Sequence, residues 1–66
     1  MPLLIINGDS RDLESHSIQG VLGELQLPAP LILVEHNGTA LHRSEWDTVV
    51  LGEGDRLVLM KVAAGG

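Results

Sequence analysis

Apolar and polar positions fall in blocks along this chain, and the blocks mark its elements. Pro2-Leu3-Leu4-Ile5-Ile6 is an apolar run ended by Asn7-Gly8, a pair suited to the positive φ angles of a type I′ hairpin turn. The pattern predicts a strand, that turn, and a short return strand from about Ser10 to Glu14, polar as edge strands often are. Ser15-His16-Ser17 offers a helix start with Ser17 as N-cap. Ile18, Val21, Leu22 and Leu25 follow at i, i+3, i+4 and i+7, one stripe at helical period. The helix is expected over 18–26, halted ahead of Pro28 and Pro30. Leu31-Ile32-Leu33-Val34 is the next apolar run. A second Asn-Gly pair, Asn37-Gly38, predicts another hairpin with Thr39 to His42 as its return. Ser44 is the expected cap of a single helical turn over Arg43 to Asp47. Gly52-Glu53-Gly54-Asp55 reads as a tight turn launching a last strand, Arg56 to Val62.

Hairpin, helix, hairpin, short helix and strand make an α+β fold with four or five strands and one main helix on one face of the sheet. The three apolar runs do not alternate, so each strand carries apolar groups on both faces, and such strands expect cover on both sides. One short helix covers one face only. The other face is expected either to dock on another protein or to lie under the Trp46 segment. By parity Leu57, Leu59 and Lys61 share one face of the last strand, and Val58, Met60 and Val62 share the other. We assign Val58, Met60 and Val62 to the partner-docking face.

Gly20 and Gly23 each cost the helix about 1 kcal/mol relative to alanine, and close packing against the sheet is their expected role. A phosphate-binding role is disfavoured, because a Gly-x-x-Gly inside a helix has no free N–H groups to offer a phosphate. Sixty-six residues form one domain, and a chain of this size buries only about 60% of its unfolded surface. With no cysteine, neither disulfides nor thiolate zinc ligands can reinforce it. The hydrophobic core, drawn from 44% apolar residues, has to suffice. Absence of cysteine, of a leader and of any apolar run of about 18 residues fits a cytoplasmic location. Nine acids oppose Arg11, Arg43, Arg56 and Lys61, for a net charge of −5, and Trp46 is the only aromatic. Nucleic acid and anionic membrane are thereby disfavoured as partners.

Independent catalysis finds no support. His16, His36 and His42 match no ligand spacing, and no bound metal or cofactor is expected. Glu35, Glu45 and Asp47 form no defensible acid–base pair. Surface positions are expected for the histidines, a packing role for Trp46, and a turn-stabilising role for Asp55.

The end of the sequence stands apart. Val62-Ala63-Ala64-Gly65-Gly66 follows directly on an apolar strand and finishes on two residues without a β-carbon. Gly-Gly lets a tail approach another protein's backbone closely. The expectation is a folded domain over 1–61 and a flexible tail over 62–66, presenting Ala64, Gly65 and Gly66 to partners.

The ordered set Ile6-Asn7-Gly8, Val34-Glu35-His36-Asn37-Gly38, Arg43-x-x-Trp46, Gly54-Asp55 and Ala64-Gly65-Gly66 resembles the ThiS family, the small sulfur carriers of thiamine biosynthesis. The resemblance runs over nearly the whole chain. It departs at His42, where proline is common, and at Ala63, where a larger aliphatic is common.

That resemblance implies a ubiquitin-like β-grasp fold with the first and last strands side by side. It also implies that Gly66 is adenylated by a ThiF-like adenylyltransferase using ATP, then converted to a thiocarboxylate. The sulfur would come from a donor such as a cysteine desulfurase and pass to a ThiG-like thiazole synthase. The chain would be a carrier acted on by enzymes. Two alternatives stay open: a molybdopterin-synthase-type or ubiquitin-like modifier carrier, and a β-grasp interaction module with an inert tail.

Overall fold

The computed structural model of the chain describes residues 2–62. Five strands, β1 (Leu3–Ile6), β2 (Asp9–Asp12), β3 (Ile32–His36), β4 (Thr39–Leu41) and β5 (Arg56–Lys61), form one sheet in the order β2-β1-β5-β3-β4. β1 and β5 run parallel, and the other neighbours are antiparallel. The last strand thus lies at the centre of the sheet beside the first, as the β-grasp arrangement requires.

Both hairpins turn on their Asn-Gly pairs. Asn7 and Asn37 have φ of 50° and 49°, and Gly8 and Gly38 have 88° and 87°, the left-handed pairs of a type I′ turn. β2 begins at Asp9 and stops at Asp12, earlier than the Ser10–Glu14 expectation, because the tight turn returns the chain at once. It is exposed along its whole length, as a polar edge should be.

Helix α1 covers Ile18–Glu24, and Ser17 caps it by accepting the Gly20 N–H at 3.0 Å. The helix stops two residues short of the expected Gln26. Gln26 itself takes φ 58°, its N–H donates to Gly23 and the Leu27 N–H donates to Leu22 at 2.9 Å. This is a Schellman closure with glutamine in the position usually held by glycine. The helix glycines do not pack on the sheet as expected. A β-carbon on Gly20 would lie 2.6 Å from the Ser15 hydroxyl, in the loop before the helix, and one on Gly23 would meet nothing.

The core lies between α1 and the sheet. Leu4, Ile6, Ile32, Val34, Leu57 and Leu59 point into it and meet Ile18, Val21 and Leu22 of the helix. Trp46, on a 3-10 segment spanning Arg43–Thr48, joins the same core. The 3-10 segment is longer than the one turn expected and is not capped by Ser44. Glu45 closes its start by accepting the His42 N–H at 2.7 Å.

Arg43 accounts for its own spacing from Trp46. Its guanidinium lies 4.6 Å from the indole centroid and donates to the carbonyls of Ala29 and Pro30 at 2.9 and 3.2 Å. Three residues apart on a 3-10 segment, the two side chains sit one above the other. Arg43 thereby ties this segment to the chain entering β3.

Candidate functional site

β5 delivers the end of the chain, so the site is built on that strand. Leu57 and Leu59 are buried on the helix side, whereas Val58 and Met60 are 40% and 57% exposed on the other. Val62 continues the exposed parity, and its N–H still donates to Leu31 at 2.8 Å. Leu33 of β3 and Leu3 of β1 are exposed as well. With Ala40, the side chains of Leu33, Val58 and Met60 frame an open hollow of about 140 Å³. Trp46 lies in the core, so its segment does not cover this second face, one of the two expected arrangements. The Val58–Met60–Val62 face is open to solvent in the described chain.

Two asparagines fix β5 from its flanks. The Asn7 N–H donates to Leu57 at 2.9 Å, and the Asn7 side chain both accepts from the Leu59 N–H at 2.8 Å and donates to the Leu59 carbonyl at 3.2 Å. On the other flank Asn37 accepts the Arg56 N–H on its side chain at 2.8 Å, and its own N–H donates to the Arg56 carbonyl at 2.9 Å. Both Asn-Gly turns therefore hold the strand that carries the tail.

Asp55 anchors the start of β5. It accepts the Gly52 N–H at 3.0 Å, the backbone bond expected of a turn residue, and also faces His36 Nε2 at 3.0 Å. The Gly52 N–H, then the His36 and Asn37 side chains, hold its carboxyl below the usual aspartate range. The histidines are less idle than expected. His36 is half-buried against Asp55, and His16 Nδ1 lies 3.3 Å from the Leu51 carbonyl. Among the described residues no three His, Asp or Glu side chains converge as a metal site would need. No helix there is long and apolar enough to cross a membrane.

Ala64, Gly65 and Gly66, the tail expected to meet partners, lie outside the described residues. The model of the ThiS family matches residues 4–66, a span that takes in the Gly-Gly pair.

The chain belongs to the ThiS family.

The crystal structure of a thiamine biosynthesis protein (ThiS) from Geobacter metallireducens is similar, with a TM-score of 0.81 and 28% identity. That match covers 97% of this chain and 99% of the other, and it establishes the fold as a β-grasp. A thiazole synthase from Paramagnetospirillum magneticum is 31% identical over 64 residues. The match takes in 96% of this chain but 20% of the synthase. The ThiS-family chain thus spans about a fifth of that protein's length.

Proposed function

We propose that this ThiS-family chain is the sulfur carrier for thiazole formation in thiamine biosynthesis, and that Gly66 carries the sulfur. The observation that carries this reading is the family match through residue 66, on a fold whose central strand leads into the Gly-Gly end.

A carboxylate resists attack because its charge repels nucleophiles and its oxygen leaves poorly. An adenylyltransferase overcomes both obstacles. The Gly66 carboxylate attacks the α-phosphorus of ATP, pyrophosphate departs, and a mixed anhydride with AMP remains. The persulfide of a donor such as a cysteine desulfurase displaces AMP and forms an acyl disulfide. A second thiol then attacks the donor's sulfur, so that the S–S bond breaks, the thiocarboxylate leaves and a disulfide remains on the donor. The thiocarboxylate is anionic at neutral pH and soft, and it is nucleophilic for the reasons a thiolate is. Thiazole synthase then receives the sulfur. The chain itself is no enzyme on this reading: it positions a reactive group while its partners supply catalysis.

Ala64, Gly65 and Gly66 are the segment threaded into each partner, where a β-carbon at the last two positions would obstruct a narrow channel. The open face of Val58, Met60 and Val62 is the docking surface, since a contiguous apolar patch on a small domain marks a partner site. The P. magneticum thiazole synthase supports the pairing, because a segment similar to this chain forms part of that protein.

Substitution at the last residue tests the reading. Gly66→Ala and deletion of Gly66 are expected to abolish sulfur loading by the adenylyltransferase, ATP and a sulfur source, while leaving the domain folded. Normal loading of either variant, read by intact mass, would contradict it.

A further inference from the structure

Sheet pairing beside β5 stops short of the strand's end. The bonds of Asn37 to Arg56 and of Val62 to Leu31 show that even-numbered β5 residues bond toward β3. Leu57, Leu59 and Lys61 therefore direct their backbone groups toward β1. The Leu57 carbonyl takes the Asn7 N–H, and both groups of Leu59 are taken by the Asn7 side chain. At Asn7-Gly8 the chain turns away into β2, and among the described residues nothing bonds the outward N–H and C=O of Lys61. Among the described residues no strand pairs with β5 in the lane beyond Asn7.

That lane is lined for a strand. On the helix side it opens over a hollow of about 310 Å³, where the short helix leaves the end of the sheet uncovered. Ile6, Leu25, Leu27 and Leu59 supply apolar lining, and Arg11 and Lys61 stand among the hollow's polar residues with Asp9. These are two of the four cations in a chain of net charge −5, and neither makes an ion pair among the described residues. On the opposite face the same lane borders exposed Met60.

We propose that thiazole synthase adds a strand to this lane. The strand pairs its backbone with Lys61, places one apolar side chain in the hollow, and sets an acidic side chain against Arg11 and Lys61. Strand addition satisfies the open backbone edge and fills the hollow together, and alternate side chains give it register. Lys61 lies at the root of the tail, so the added strand would hold that root as Gly66 enters the synthase. The inference rests on the sulfur-carrier reading, and among that reading's partners the synthase is singled out because a segment similar to this chain forms part of one thiazole synthase.

The test is amide hydrogen exchange of the full ¹⁵N-labelled chain, free and with the thiazole synthase purified from the same cells. The Lys61 amide is expected to exchange at least tenfold more slowly in the complex. Lys61→Pro removes the donor without touching the bonds to β3, and it is expected to weaken binding at least tenfold relative to Lys61→Gln. Arg11→Glu, which leaves the strand backbone intact, is expected to weaken binding severalfold, with its free spectrum confirming the fold. Binding that leaves Lys61 exchange unchanged, or equal binding by the proline and glutamine variants, would overturn the added strand alone. Failure of the unsubstituted chain to bind the synthase would overturn the carrier reading and this inference with it.

Discussion

The side chain of Asn7 stands in for a peptide group beside Leu59, 52 residues away in sequence, accepting its N–H and donating to its carbonyl. It lengthens the β1–β5 pairing by one unit after β1 itself has turned away. Without it, the partly buried Leu59 groups would lose their partners. Asn7→Ala is expected to destabilise the domain by about 1–3 kcal/mol, the cost of unsatisfied buried polar groups. Asn7→Gly keeps the turn's positive φ but removes the bonds, so it separates the two contributions. Urea unfolding of both variants checks this, and near-wild-type stability for Asn7→Gly would assign the residue's role to the turn alone.

The two helix glycines should respond in opposite directions. Gly23→Ala meets no neighbour and should stabilise by about 1 kcal/mol through helix propensity. Gly20→Ala sets a β-carbon against Ser15 and against the Ser17 hydroxyl that caps the helix, so it should destabilise. Thermal unfolding of the pair decides the matter, and equal gains would show that the Ser15–Ser17 loop yields freely.

Gln26 occupies the left-handed position that closes the helix. A non-glycine residue there is strained by about 1–2 kcal/mol. Gln26→Gly should recover roughly 1 kcal/mol after the glycine's larger unfolded-state entropy is subtracted. Chemical denaturation measures the gain, and a loss would place the strain elsewhere.

Arg43 grips two carbonyls and stacks on Trp46. Arg43→Lys keeps the charge but loses the planar fork, and so should cost nearly as much as Arg43→Ala, about 1–2 kcal/mol. Full rescue by lysine in urea unfolding would reduce the contact to charge alone.

Asp55 gives the fold a pH dependence of definite sign. Its carboxyl titrates lower in the folded chain than in the unfolded chain, chiefly because it accepts the Gly52 N–H and faces His36. The unfolded state therefore binds the proton more readily. The contribution is complete above the ordinary aspartate value of about 4 and is lost as pH falls through the lower folded value. Glu24, held below the usual glutamate range by the Ser15 side chain and then by the backbone N–H groups of Glu14 and Ser15, acts in the same direction. Asp55→Asn should flatten the acid limb of a stability–pH curve, and an unchanged limb would exclude Asp55 as its source.

Legibility in the sequence followed the range of each interaction. The Asn-Gly turns, the Ser17 cap, the helical stripe and the two-faced parity of β5 are set by residues within a few positions, and all are present. Features closed by contacts remote in sequence were not legible from the local pattern. Examples are the Asn7 and Asn37 side chains on β5, the packing of Arg43 on the chain before β3, and the bond between His36 and Asp55. The helix ends before the expected Gln26 because glutamine, not glycine, takes the left-handed closing position. The parallel neighbourhood of β1 and β5 entered only through family resemblance, since hydrophobic pattern does not set strand order. The apolar face of Val58, Met60 and Val62 was readable by parity, whereas the lane beside Lys61 needed the hydrogen-bond pattern of the folded sheet.

The carrier role rests on a chemical change at one residue, and intact mass spectrometry of the protein reads it directly. After incubation with its adenylyltransferase, ATP and a sulfur source, one oxygen is expected to be replaced by sulfur, localised by fragmentation to Gly66. An unchanged mass with demonstrably active partners would contradict the carrier role and leave a β-grasp interaction module with an inert tail.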